Sequence, residues 1–145
     1  MKFVVVLAWL LATGLCSPPQ PLSASVNVIA SSSLHVGELS QLVVKVTNTG
    51  PAIPHLGLVF RTPDRWFERH EMKNLAGCTV ATASSAFDCG ALAVNDTKTF
   101  AFAGVASAPG SFHYELALRE LVQPFDWVND HPDGADAQTW DETVS

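Results

Sequence analysis

The sequence predicts an all-β protein: an antiparallel β-sandwich of about seven short strands behind a signal peptide that is cleaved on export. Three observations carry this expectation. Apolar and polar residues alternate with period two through several stretches. Turn signals rich in Gly, Pro and Asn separate those stretches at the spacing of a sandwich. No long segment sustains a helical period. The chain has 145 residues, 48% apolar and 15% charged, which suits one domain with a real core.

In chain order, SVNVIA (25–30) alternates weakly. LSQLVVKVTN (39–48) alternates well, with Leu42, Val44 and Val46 on one face and Gln41, Lys45 and Thr47 on the other. NTGP (48–51) is a turn, since Gly frees φ and Pro fixes it. HLGLVF (55–60) resumes an apolar strand. TPDRWFERHEMK (62–73) is the best helical stretch, with Thr62 as cap and Pro63 in the first turn, enough for one short turn of helix. GCTVATA (77–83) and AFDCGAL (86–92) read as an irregular hairpin. KTFAFAGV (98–105) sets Phe100 and Phe102 on one face. After the APG turn (108–110), Phe112, Tyr114, Leu116 and Leu118 alternate with His113, Glu115 and Arg119. A last strand near Gln138 to Val144 would be short and acidic.

Lys2 is the only charge before Glu38 and precedes FVVVLAWLLATGL. That run fits the apolar region of a signal peptide and falls short of the ~20 residues of a bilayer span. The prolines of SPPQP stop any helix. Cys16 closes the run, but bulky Leu15 stands where a lipid-anchor site needs a small residue. Residues 1–16 are therefore read as a secretory signal peptide and 17–23 as a Pro/Ser-rich linker. Residues 24–129 form the sandwich, and 130–145 an acidic C-terminal segment with at most an edge strand. The expected location is extracellular or at the cell surface, with no membrane span in the mature chain.

Processing leaves two cysteines, Cys78 and Cys89, eleven positions apart. In an exported domain they are expected to form a disulfide. A loop this short contributes on the order of 3 kcal/mol by the chain-entropy model. The spacing is not that of a CxxC redox or metal site, and no His falls near either Cys.

Eight Lys and Arg against fourteen Asp and Glu give a net charge of −6, which argues against a nucleic-acid partner. The five His (35, 55, 70, 113, 131) are scattered, and GALAVNDT after Cys89 supplies no copper ligand. Asp64, Glu68 and Glu71 lie near one another, but paired acids alone do not make a glycosidase. Ser84 and Ser85 lack a nucleophile-elbow context. Nothing in the sequence assembles an active site, so no enzyme is expected.

VGELSQLVVKVTNTGP, the CTV…FDCGAL pair and KTFAFAGVASAPGSF together resemble a bacterial extracellular repeat domain, catalogued as domain of unknown function eleven. The matching features are Val36-Gly37, Asn48 to Pro51, Cys78, Cys89 to Leu92, and Gly110, over about residues 24–130. The resemblance implies an immunoglobulin-like β-sandwich on secreted or wall-associated proteins, with no catalytic role.

Two stretches carry candidate binding chemistry. Residues 120–145 hold seven of the fourteen acids and no Lys or Arg. Within NDHPDGAD, Asp130, Asp133 and Asp136 are candidate ligands for Ca²⁺, a hard cation that takes oxygen donors. The EF-hand spacing fails, and the competing reading is a solvated acidic edge, dispensable for the fold. In the second stretch, Arg65, Trp66, Phe67 and Arg69 suggest an interaction surface for an extracellular protein or glycan. Alternatively, Trp66 and Phe67 plug one end of the sandwich. The favoured function is a secreted or cell-surface, non-enzymatic module for adhesion, scaffolding or protein interaction. A secreted calcium- or small-ligand-binding module is the alternative.

Overall fold

The computed structural model describes residues 22–61, 63–80, 86–121 and 137–145. Two β-sheets pack face to face. One is four-stranded, in the order β1 (Ala24–Ala30), β3 (Leu39–Asn48), β8 (Thr97–Ala106), β5 (His70–Asn74). The other is six-stranded, in the order β2 (Ser33–Leu34), β10 (Gln138–Val144), β9 (Gly110–Glu120), β4 (Leu56–Phe60), β7 (Ala86–Asp88), β6 (Thr79–Val80). All pairings are antiparallel except β10 with β2.

The alternation places the core. On β3, Leu42, Val44 and Val46 are buried while Gln41 and Lys45 are exposed. Phe100 and Phe102 of β8, and Tyr114, Leu116 and Leu118 of β9, close the core from neighbouring strands. Phe112, expected inside, is half-buried beneath the Arg69 guanidinium, which lies 5.0 Å from its ring centre. The β4 strand is buried at every position, so its run LGLVF shows no alternation.

Asn48 ends β3 and fastens the NTGP turn. Its amide donates to the carbonyls of Pro51 (2.9 Å) and Ala93 (3.1 Å), and its Oδ1 accepts from the Gly50 N–H (3.0 Å). A disulfide joins Cys78 and Cys89, with Cα atoms 4.3 Å apart, and brackets the β6–β7 hairpin.

The one short turn of helix expected within 62–73 is α1 (Trp66–Arg69), and the chain then enters strand β5 at His70, which the sequence did not signal. Pairing with β8 decides this, because His70 lies opposite Ala106 and Met72 opposite Gly104. A Cβ on Gly104 would come within 2.8 Å of the His70 Cβ, so only glycine lets β5 approach this closely. The short strand β2 gave no signal of its own. The strand in the acidic segment is not at the sheet edge: β10 lies between β9 and β2, and buries Glu142 and Val144. The segment thus supplies an interior strand and two buried side chains, where at most an edge strand was expected.

Candidate functional site

Four polar side chains meet inside the apolar core. Ser40 comes from β3 and His70 from β5 of one sheet; Tyr114 comes from β9 and Glu142 from β10 of the other. All four are buried, with Glu142, Ser40 and Tyr114 at 0% exposure. They reach the interior because each occupies the inward phase of its strand. On β10 that phase is shared by Trp140, Glu142 and Val144, so the pleat carries a carboxylate into the core.

Glu142 is the centre. Its Oε2 accepts from the Ser40 hydroxyl and its Oε1 from the Tyr114 hydroxyl, each at 3.3 Å. His70 Nε2 lies 3.1 Å from the same Oε1, at an angle that makes it an electrostatic contact and not an aligned hydrogen bond. The other ring nitrogen, Nδ1, donates to the Trp66 carbonyl at 2.7 Å. With Nδ1 committed as donor, Nε2 carries a proton only when the ring is cationic, and Glu142 is the counter-ion that state requires. The Trp66 indole stacks on the imidazole at 4.3 Å and seals it from one side. Burial, and then the neighbouring Glu142 carboxylate, push the Tyr114 phenol well above its ordinary range. A buried ion needs such partners, since removing charge from water costs several kcal/mol or more.

The candidate interaction surface takes a different form from the one expected. Trp66 is fully buried, and Phe67 packs edge-on against Phe60 (5.7 Å) and Phe87 (5.0 Å). The two aromatics plug the sandwich. Arg65 pairs with Glu68 (3.0 Å) and Arg69 with Asp64 (3.1 Å). The four residues therefore do not present an exposed aromatic flanked by free cations. Asp130, Asp133 and Asp136 lie outside the described residues. Among the described residues, no three His, Cys, Asp or Glu side chains gather into a group able to hold a metal ion.

Sequence reasoning named none of the four as a group. In the sequence Glu142 lies in the acidic segment, His70 in the stretch 62–73 with helical character, and Tyr114 among the alternating core residues. The readable signal was the period-two placement of Glu142 between Trp140 and Val144.

No protein-family model matches the sequence, and no curated protein matches it either. Among solved structures, the chain is similar to the CARDB domain of a protein from Pyrococcus furiosus in solution. The TM-score is 0.54 at 14% identity, covering 86% of this chain and 96% of that one. The crystal structure of that CARDB domain, in complex with di-metal ions, gives 0.52 at 14% identity, covering 88% and 97%. The chain is an immunoglobulin-like antiparallel β-sandwich. Among the described residues no helix is long and apolar enough to cross a membrane.

Proposed function

We propose that the protein is an exported, non-enzymatic β-sandwich module for adhesion, scaffolding or protein interaction outside the cell. The sealing of His70 and Glu142 carries this reading. A catalytic acid or base has to reach substrate, whereas both of these side chains have 0% exposure. The cluster thus serves as a polar brace between the sheets. Much of the surface charge is also spent within the chain, Arg61 on Glu115, Arg69 on Asp64 and Lys73 on Glu71.

Export is supported by the apolar N-terminal run and by the disulfide, a bond that persists in oxidising compartments. The motif likeness to the bacterial extracellular repeat domain supports a protein or glycan partner outside the cell. Amine cross-linking of the extracellular fraction, followed by non-reducing peptide mapping, tests the proposal. The expected product lacks the N-terminal run, retains the Cys78–Cys89 link, and is conjugated to an extracellular component through Lys45 or Lys98. Recovery of the chain from the cytoplasm with both thiols free would contradict it.

A further inference from the structure

The outer edge of β1 differs from the other strand edges. The β5 edge shifts register between Met72 and Asn74 and carries Glu71 and Lys73. The edges at β2 and β6 are two residues long. By contrast, β1 runs seven residues in unbroken register with β3, from Ala24↔Asn48 to Ala30↔Leu42. Its sequence ASVNVIA has neither charge nor proline. Proteins usually blunt such edges, because a row of unpaired N–H and C=O groups is a template for another strand. Among the described residues no strand pairs with this side of β1.

The outward groups follow from the flanking hydrogen bonds. At one end the Ser23 carbonyl accepts from the Thr49 N–H (2.7 Å); at the other the Ser31 N–H donates to the Gln41 carbonyl (3.4 Å). Bonded and non-bonded pairs alternate along an antiparallel ladder. Ser25, Asn27 and Ile29 therefore bond to β3. Ala24, Val26, Val28 and Ala30 turn their N–H and C=O groups outward.

We infer that a second copy of this chain pairs antiparallel along β1, about a two-fold axis at Asn27, merging the two four-stranded sheets into one. The register is self-complementary. Ala24 falls opposite Ala30 of the second copy and Val26 opposite Val28, and the same pairs recur reciprocally, so every outward group of the strand finds a partner. The side chains agree with the backbone. Val26 and Val28, on the inward face, meet Val28 and Val26 of the second copy. On the outward face Asn27 meets Asn27 across the axis, where two amides exchange hydrogen bonds. Ile29, 69% exposed in the single chain, gains a neighbour in Ser25 of the second copy. Although the chain carries −6 overall, β1 contributes none of that charge, so no like charges face each other across the seam. A single seven-residue edge buries less than a standard interface, which makes the association concentration-dependent.

Sedimentation equilibrium of the full chain over a concentration series tests this, alongside Val28→Pro and Asn27→Glu. Val28→Pro removes an outward N–H and none of the bonds to β3, so far-ultraviolet circular dichroism should stay native. Asn27→Glu sets two carboxylates face to face across the axis while remaining opposite Lys45 within its own chain. The wild type is expected to approach twice the monomer mass as concentration rises. Each substitution is expected to weaken association by about tenfold or more. If Val28→Pro fails to fold, Asn27→Glu decides alone. A wild type that stays monomeric, or that takes up an unrelated extended peptide on β1 in place of a second copy, would overturn the proposal. So would a folded Asn27→Glu variant that dimerises like the wild type.

Discussion

His70 and Glu142 depend on each other because neither reaches water. Their side chains are both at 0% exposure, and Glu142 also accepts from Ser40 and Tyr114. Removing His70 leaves the buried Glu142 with only the Ser40 and Tyr114 hydroxyls among the partners described. His70→Leu is expected to lower the unfolding free energy by ~3–5 kcal/mol. Pairing it with Glu142→Leu should recover much of that loss, since apolar replacements of a whole buried pair are often tolerated. Denaturant melts of the two single variants and the double variant give the coupling directly. A His70→Leu cost below about 1 kcal/mol would show that the pair is solvated. None of this was visible in the chain order, where Glu142 follows Asp141 in the acidic segment and His70 sits between Arg69 and Glu71. Asn48 shows the same limit on a smaller scale. The composition of NTGP marks a turn, but the bond from its amide to the Ala93 carbonyl depends on a loop distant in sequence.

At the scale of elements, strands were readable where one face is buried and the other wet. The β3 and β8 strands meet that condition, and their alternation names the inward residues; β9 meets it only in part, since Leu116, Ala117 and Leu118 are all buried and Phe112 is half-buried. The β5 strand does not. Arg69, His70, Glu71 and Lys73 look like the charged end of a helix, and only the ladder with β8 makes them extended. The acidic β10 strand reads as a solvated segment by charge, and only its period-two phase marks Glu142 and Val144 as inward. It pairs with β9 at seven positions, and its Trp140 ring lies 5.3 Å from that of Tyr114. Deleting residues 138–145 removes that ladder and leaves His70 without its carboxylate. Loss of the cooperative thermal transition is the expected outcome; a truncated chain that still melts cooperatively would return the segment to a dispensable edge. The Cys78–Cys89 staple bears on a smaller unit, the β6–β7 hairpin. Replacing both cysteines with Ser should cost ~2–4 kcal/mol while leaving β-sheet content intact by circular dichroism.

Across the whole molecule, fold class was legible and strand order was not. Period two and turn spacing suffice for a sandwich. Which strands neighbour one another is settled by long-range pairings such as β3 with β8 and β10 with β9. The candidate site was hidden for the same reason, since its four side chains come from four strands in two sheets. Whether the polar cluster is a sealed brace or an accessible acid–base site bears most on function, and Tyr114 reports on it without interference, being the only tyrosine in the chain. Its folded phenol holds the proton to higher pH than an unfolded one. Unfolding therefore releases a proton above pH ~10, so the stabilisation is complete below that pH and declines as pH rises further. The direct measurement is an alkaline titration that follows tyrosinate absorbance and far-ultraviolet circular dichroism together. For a sealed brace, tyrosinate should appear only with the loss of β-structure. Ionisation near pH ~10 in a chain that is still folded would mean that solvent enters the cluster, and would contradict the non-enzymatic reading built on its closure.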